Sequence, residues 1–220
     1  MADSVSIVSS AASPAPQTVW TLPERGLTVF YGHPDVPRLF HYFLPRLLAQ
    51  EKPVLCLDGA NRFDPLLIAR FSRERHLDAS VFNSRIRVAR AFTCFQLTEL
   101  LVRAPRLLEK FPAQAVVVTA LPDLYFDEDV REREAGASFR RALEALAVLR
   151  ARPLVTAVFT DAASFQTPRR AFFAQLVAQS DSASQFVEQE GRLALAPHSP
   201  ASAAVPLPQK SAVPDDAGAL

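Results

Sequence analysis

Between residues 27 and 195 the chain switches repeatedly between two kinds of hydrophobic pattern. Short runs such as Val54-Leu55-Cys56-Leu57 and Ala115-Val116-Val117-Val118 are apolar at every position. Between them lie longer stretches whose apolar residues recur every three or four places. A strand with no polar side must be covered on both faces, and the intervening helical patterns supply the cover. Strand runs are expected at Leu27-Thr28-Val29-Phe30-Tyr31, 54–57, Ile86-Arg87-Val88, 115–118 and 154–159. Helical runs are expected at 38–50, 66–76, 94–110, 133–151 and 168–179. This order predicts an α/β fold with a mainly parallel central sheet flanked by helices. Ser184-Gln185-Phe186-Val187-Glu188 and Arg192-Leu193-Ala194-Leu195, joined by Gln189-Glu190-Gly191, predict a C-terminal β-hairpin that closes the sheet edge.

The ends read differently. Residues 1–19 are rich in Ser, Ala and Pro and are expected to form a flexible leader, although Val5-Ser6-Ile7-Val8 has strand character. Residues 198–220 carry four prolines and almost no large apolar side chain, so a disordered tail is expected there. The folded domain is expected to span 20–197. The start of the chain lacks the basic flank and apolar run of a signal peptide. No stretch approaches the roughly 18 apolar residues of a membrane span. A soluble, cytoplasmic protein is the expectation. With 24 Lys+Arg against 23 Asp+Glu, bulk charge offers no reason to expect a nucleic-acid or membrane partner. Cys56 and Cys94 sit inside apolar runs, without metal-ligand spacing, and read as small buried hydrophobes.

In a parallel α/β sheet, ligands bind beyond the carboxyl ends of the strands, so the loop after the first strand is the first place to look. It reads Gly32-His33-Pro34-Asp35-Val36-Pro37-Arg38-Leu39. Against the phosphate-binding pattern GxxxxGK[ST], Gly32 matches, and Arg38 stands where the lysine belongs. Pro37 replaces the second glycine and has no N–H for a phosphate. Leu39 replaces the magnesium-holding hydroxyl. A guanidinium does not reproduce a compact ammonium in a tight loop.

The second strand runs into Asp58-Gly59-Ala60-Asn61-Arg62-Phe63-Asp64-Pro65, which resembles the D-T-E-G-x-F-x-P segment of the RecA/RadA recombinase superfamily. Further on, Arg85-Ile86-Arg87-Val88-Ala89-Arg90-Ala91-Phe92, with Gln96 and Leu100-Leu101, resembles the NIxxARAYNxxxQxxLL block of its archaeal and eukaryotic branch. The resemblance covers about residues 24–160 and implies a RecA-like domain. It also exposes what this chain lacks. Ala60 stands where the family has the glutamate that positions the attacking water. Thr119 and Ala120 stand where the magnesium-holding aspartate of the Walker B strand belongs, and enlisting Asp123 instead requires a shift of register across Pro122. Phosphoryl transfer depends on charge neutralisation and water placement, each worth several kcal/mol. With all of them gone, the resemblance implies a pseudo-ATPase with no cofactor, for which ATP and magnesium are at most vestigial ligands.

Other features read more plainly. Tyr125-Phe126-Asp127-Glu128-Asp129 puts three carboxylates in one loop without a histidine to complete a metal site. His33 lies in the vestigial loop, while His41, His76 and His198 have no partner at metal spacing. Phe139 and Ala142 match the F-x-x-A pattern by which recombinases dock into a neighbour, but at i and i+3 of an expected helix they share an apolar face. Arg62, Arg70, Arg73 and Arg75 are candidates for a basic interaction strip, as are Arg169-Arg170. The segments 121–132 and 161–168, where the superfamily carries its DNA-binding loops, are short, and the first is acidic. The expected function is therefore that of a non-catalytic accessory protein in DNA repair or recombination. Its expected partner is a RecA-type ATPase or another repair protein, in a homo- or hetero-oligomer, with weak or no direct DNA binding. A nucleotide-binding sensor or weak ATPase is the first alternative, and a single-stranded DNA-binding module the second.

Overall fold

The computed structural model describes residues 21–74, 76, 78–189, 192–198 and 205–206. The expected leader, Arg75, the Glu190-Gly191 turn and most of the expected tail lie outside them. The strands are β1 Gly26–Gly32, β2 Val54–Asp58, β3 Ile86–Arg90, β4 Ala115–Thr119, β5 Val155–Phe159, β6 Ser182–Gln189, β7 Arg192–Pro197 and β8 Val205–Pro206. The helices are α1 Val36–Ala49, α2 Pro65–Glu74, α3 Ala79–Ser84, α4 Cys94–Lys110, α5 Glu132–Arg150 and α6 Ala171–Gln179.

One sheet contains all the strands, in the order β3-β2-β4-β5-β1-β6-β7-β8. The pairings from β3 across to β6 are parallel, and β7 runs antiparallel to both β6 and β8. This is the RecA-like, mainly parallel arrangement with a C-terminal antiparallel pair. β2, β4 and β5 are buried at every position, as their unbroken apolar runs require. Their alternate side chains feed two cores. On one face Leu55, Leu57, Val116 and Val118 pack under α4, α5 and α6. On the other, Val54, Cys56, Val117 and Ala157 pack under α1, α2 and α3.

The hairpin is built differently from a simple edge closure. β6 first joins the sheet in parallel with β1, from Thr28 opposite Ser182 to Gly32 opposite Phe186, before β7 folds back on it. Gly32 has a φ of 120°, and a Cβ there would stand 2.4 Å from the Phe186 carbonyl oxygen. Both facts demand glycine.

Helix ends follow local chemistry. Thr93 caps α4, its Oγ1 accepting from Gln96 N at 3.2 Å, while Gln96 Oε1 reaches back to accept from Phe92 N at 2.8 Å. This is a variant of the capping box, in which the reciprocal bond falls one residue early. Asp78 caps the short α3, which the hydrophobic pattern does not predict, by accepting from Ser80 N. The expected helix at 168–179 begins instead as a 3-10 turn, Pro168–Arg170, before α6.

Phe139 and Ala142 on α5 are corrected here as interaction residues. Both are fully buried, and the Phe139 ring stacks on Phe172 (centroids 4.5 Å apart) and meets Tyr125 edge-on. Spacing of i and i+3 turns both inward, so neither is available to a partner. Phe139→Ala is expected to cost about 3–5 kcal/mol, as for large buried aromatics elsewhere. Urea unfolding measures it.

Candidate functional site

The residues expected at a vestigial nucleotide site lie at or just beyond the carboxyl ends of β1, β2 and β4, but they do not form a phosphate cradle. A helix N-terminus attracts anions through unpaired backbone N–H groups. Here those groups are spent or missing. Asp35 N donates to His33 Nδ1 at 3.2 Å, Val36 N to the His33 carbonyl at 2.9 Å and Arg38 N to the Asp35 carbonyl at 2.8 Å. Pro34 and Pro37 have none to give. Pro37 lies in the first turn of α1 and is buried, and Leu39 packs against the second core. The Asp35 carboxylate stands at the helix start, 3.7 Å from His33, where its charge opposes a phosphate. Arg38 points to solvent.

Asp58, Ala60 and Thr119 do come together, for structural reasons. Asp58 has no solvent exposure. Its Oδ1 accepts from Thr119 Oγ1 (2.8 Å) and Arg62 N (3.1 Å), and its Oδ2 from Phe63 N (2.8 Å). Arg90 Nε lies 3.9 Å from Oδ2. Thr119 Oγ1 in turn accepts from Ala60 N at 3.0 Å. A buried carboxylate needs such donors, and satisfying it folds the segment after β2 into a fixed turn, with Asn61 at φ 53°. Ala60 leaves no side chain to orient a water.

Two further groups at this edge give little signal in the sequence. Asp123 opens the 3-10 turn Asp123–Phe126. Its Oδ2 accepts from Thr160 Oγ1 at 2.5 Å and its Oδ1 from Asp161 N at 3.1 Å. Burial, and then a hydrogen bond that its protonated carboxyl donates to Asp161, hold Asp123 well above the usual carboxylate range. Arg169, expected on a basic strip, instead gives its guanidinium to the carbonyls of Tyr125 (3.0 Å), Asp127 (2.7 Å) and Val130. Together these bonds lock the segment after β4 to the segment after β5. Among the described residues no three His, Cys, Asp or Glu side chains gather as metal ligands.

Arg70 on α2 pairs with Glu74 at 3.0 Å, while Arg73 on the same helix and Arg62, in the turn before it, are exposed. The histidines find specific roles. His198 Nδ1 lies 2.6 Å from Tyr31 OH, and His76, at φ 54°, follows the end of α2. His41 is buried and bonded through both nitrogens. Cys56 and Cys94 are free and buried, and burial pushes both thiols up. No helix among the described residues is long and apolar enough to cross a membrane.

No family model matches the chain and no curated protein matches it.

The raised Asp123 makes a prediction with a definite sign. A carboxyl whose folded pKa is raised contributes stability below its unfolded value and loses it as pH rises through the folded value. Asp123→Asn keeps the shape, gives Asp161 a permanent donor and removes the titration. Thermal melts should therefore show the variant gaining on the wild type as pH rises from 5 to 9. An unchanged gap would show that the Asp123 carboxyl is not raised in the folded protein.

Proposed function

We propose that this chain is a non-catalytic, RecA-like accessory protein that acts in DNA repair or recombination by binding a partner protein. The observation that carries the first half is the loop after β1. It keeps the strand–turn–helix geometry while every amide from residue 34 to 38 is absent or internally bonded. Such a loop has no backbone amide from residue 34 to 38 left to offer a triphosphate. The pathway rests on the resemblance of residues 58–65 and 85–101 to the RecA/RadA recombinases, an analogy of sequence rather than of chemistry.

A binding role is supported by the free edge of the sheet. Among the described residues nothing pairs with the outer side of β3. Val88 is 38% exposed, and Phe92 and Phe95, just beyond the strand, are 64% and 48% exposed. A flat edge without proline or bulge is a template for another strand. Arg87 and Arg90 are exposed on the same strand, with Arg62 near its carboxyl end. The occupant that fits is an extended segment of the partner carrying acidic and apolar side chains. In the resemblance that partner is a RecA-type ATPase, and aromatic and arginine side chains are those that dominate interfaces. Direct DNA binding is disfavoured because the two loops that would serve it are locked by Arg169 and Asp123.

Calorimetry with ATP and magnesium should give no binding heat, and tight magnesium-dependent binding would restore the sensor reading. Single-stranded oligonucleotides at low salt should give no mobility shift. Mixed with the RecA-type ATPase of its own cell, the chain should co-elute on size exclusion. Phe92→Glu with Phe95→Glu should weaken that complex by on the order of thirtyfold or more, as for hot-spot residues, and leave the melting temperature within a few degrees of the wild type.

A further inference from the structure

His41 belongs to no part of that function, yet it is a buried titratable side chain held through both ring nitrogens. It lies in the second turn of α1, 5% exposed. Its ring lies against Phe40 (centroids 4.0 Å apart) and near Phe63 (5.9 Å). Nδ1 is 2.8 Å from the Arg38 carbonyl oxygen. A carbonyl can only accept, so Nδ1 carries a proton. Nε2 is 3.0 Å from Asp64 N. A backbone amide can only donate, so Nε2 must present its lone pair. Both bonds are satisfied by one tautomer of the neutral ring and by no other form. The imidazolium would set N–H against N–H.

The second bond reaches across 23 residues and ties α1 to the start of α2. Asp64 is the hinge of that start, since its Oδ1 also accepts from Leu66 N at 2.8 Å and Leu67 N at 3.3 Å. The Phe63 carbonyl beside it accepts from Arg90 at the end of β3. We infer that His41 is a pH-sensitive clasp: protonation at Nε2 expels the Asp64 amide and frees residues 61–66 from α1. The charged groups facing the ring are Asp64 and Asp58, from the segment after β2, which favour its protonation, and Arg38 on α1, which opposes it. Burial is the largest influence, and it holds the ring below the ordinary histidine range. A depressed histidine contributes stability above its unfolded value, and that contribution is lost as pH falls through the folded one. The clasp is therefore closed at neutral pH and opens on the acid side.

Nitrogen-15 spectra of the full chain test this directly. The His41 ring nitrogens and the amides of Arg62, Asp64 and Leu66 should titrate together with one midpoint below 6.5, the ordinary histidine value. Hydrogen exchange of the Asp64 amide, normalised for its intrinsic pH dependence, should quicken at least tenfold across the same interval. His41→Gln offers an amide oxygen to Asp64 without a titration, and should hold these amides unchanged until the carboxylates themselves protonate. His41→Phe keeps the bulk and should leave the Asp64 amide unprotected at neutral pH. The inference is overturned if the amides do not follow the ring, or if His41→Gln retains the wild-type midpoint. The latter result would assign the transition to Asp58 or Asp64.

Discussion

A carboxylate sealed from water at the end of β2 sets the terms for the whole upper edge of this sheet. Left unmatched, the Asp58 charge would cost several kcal/mol. The chain meets it with a hydroxyl from β4, two amides from its own following turn and a guanidinium from β3. Three adjacent strand ends and the approach to α2 are thereby tied to one pair of oxygen atoms. Gly59 shows how close the fit is, for a Cβ there would stand 2.6 Å from the Thr119 carbonyl oxygen. Thr119, at the end of β4, is one of the groups committed to satisfying this charge.

The same economy runs through the neighbouring loops. Polar groups at the edge are turned on one another: His33 on Asp35, Asp123 on Thr160 and Asp161, and Arg169 on three carbonyls. Among the described residues the buried side-chain atoms without a partner are Thr156 Oγ1 and Gln179 Oε1. Thr156 opposes Leu27 and Val116 within the sheet, and Gln179 ends α6.

Much of the architecture was legible in the sequence because a doubly covered parallel strand has an unmistakable composition. The runs at 54–57 and 115–118 could be little else. What escaped was whatever depends on partners distant in sequence. Ser182-Ala183-Ser184 has no strand pattern, and it extends β6 because β1 lies alongside and Ser182 Oγ donates to Thr28 Oγ1 at 2.9 Å. α3 is six residues long and sends one buried side chain, Phe82, to the core, too little for periodicity to register. At the site, it was plain from residue type alone that Pro37, Leu39 and Ala60 carry no group for a phosphate, a magnesium ion or a water. The roles of His41, Arg169 and Asp123 were not, because each is defined by a bond spanning more than twenty residues. Gln96, singled out by a likeness of sequence, has a sufficient local reason in its bond to Phe92 N.

Gly32 has a structural reason to be glycine that needs no ligand. The one residue that fits the phosphate pattern without substitution is held in place by the strand beside it, whose carbonyl leaves room for a hydrogen atom and nothing larger. Tolerance at this position is thus governed by sheet assembly rather than by any ligand. A survey of variants at Gly32 would report misfolding, and the intolerance it recorded would be easily mistaken for an active site.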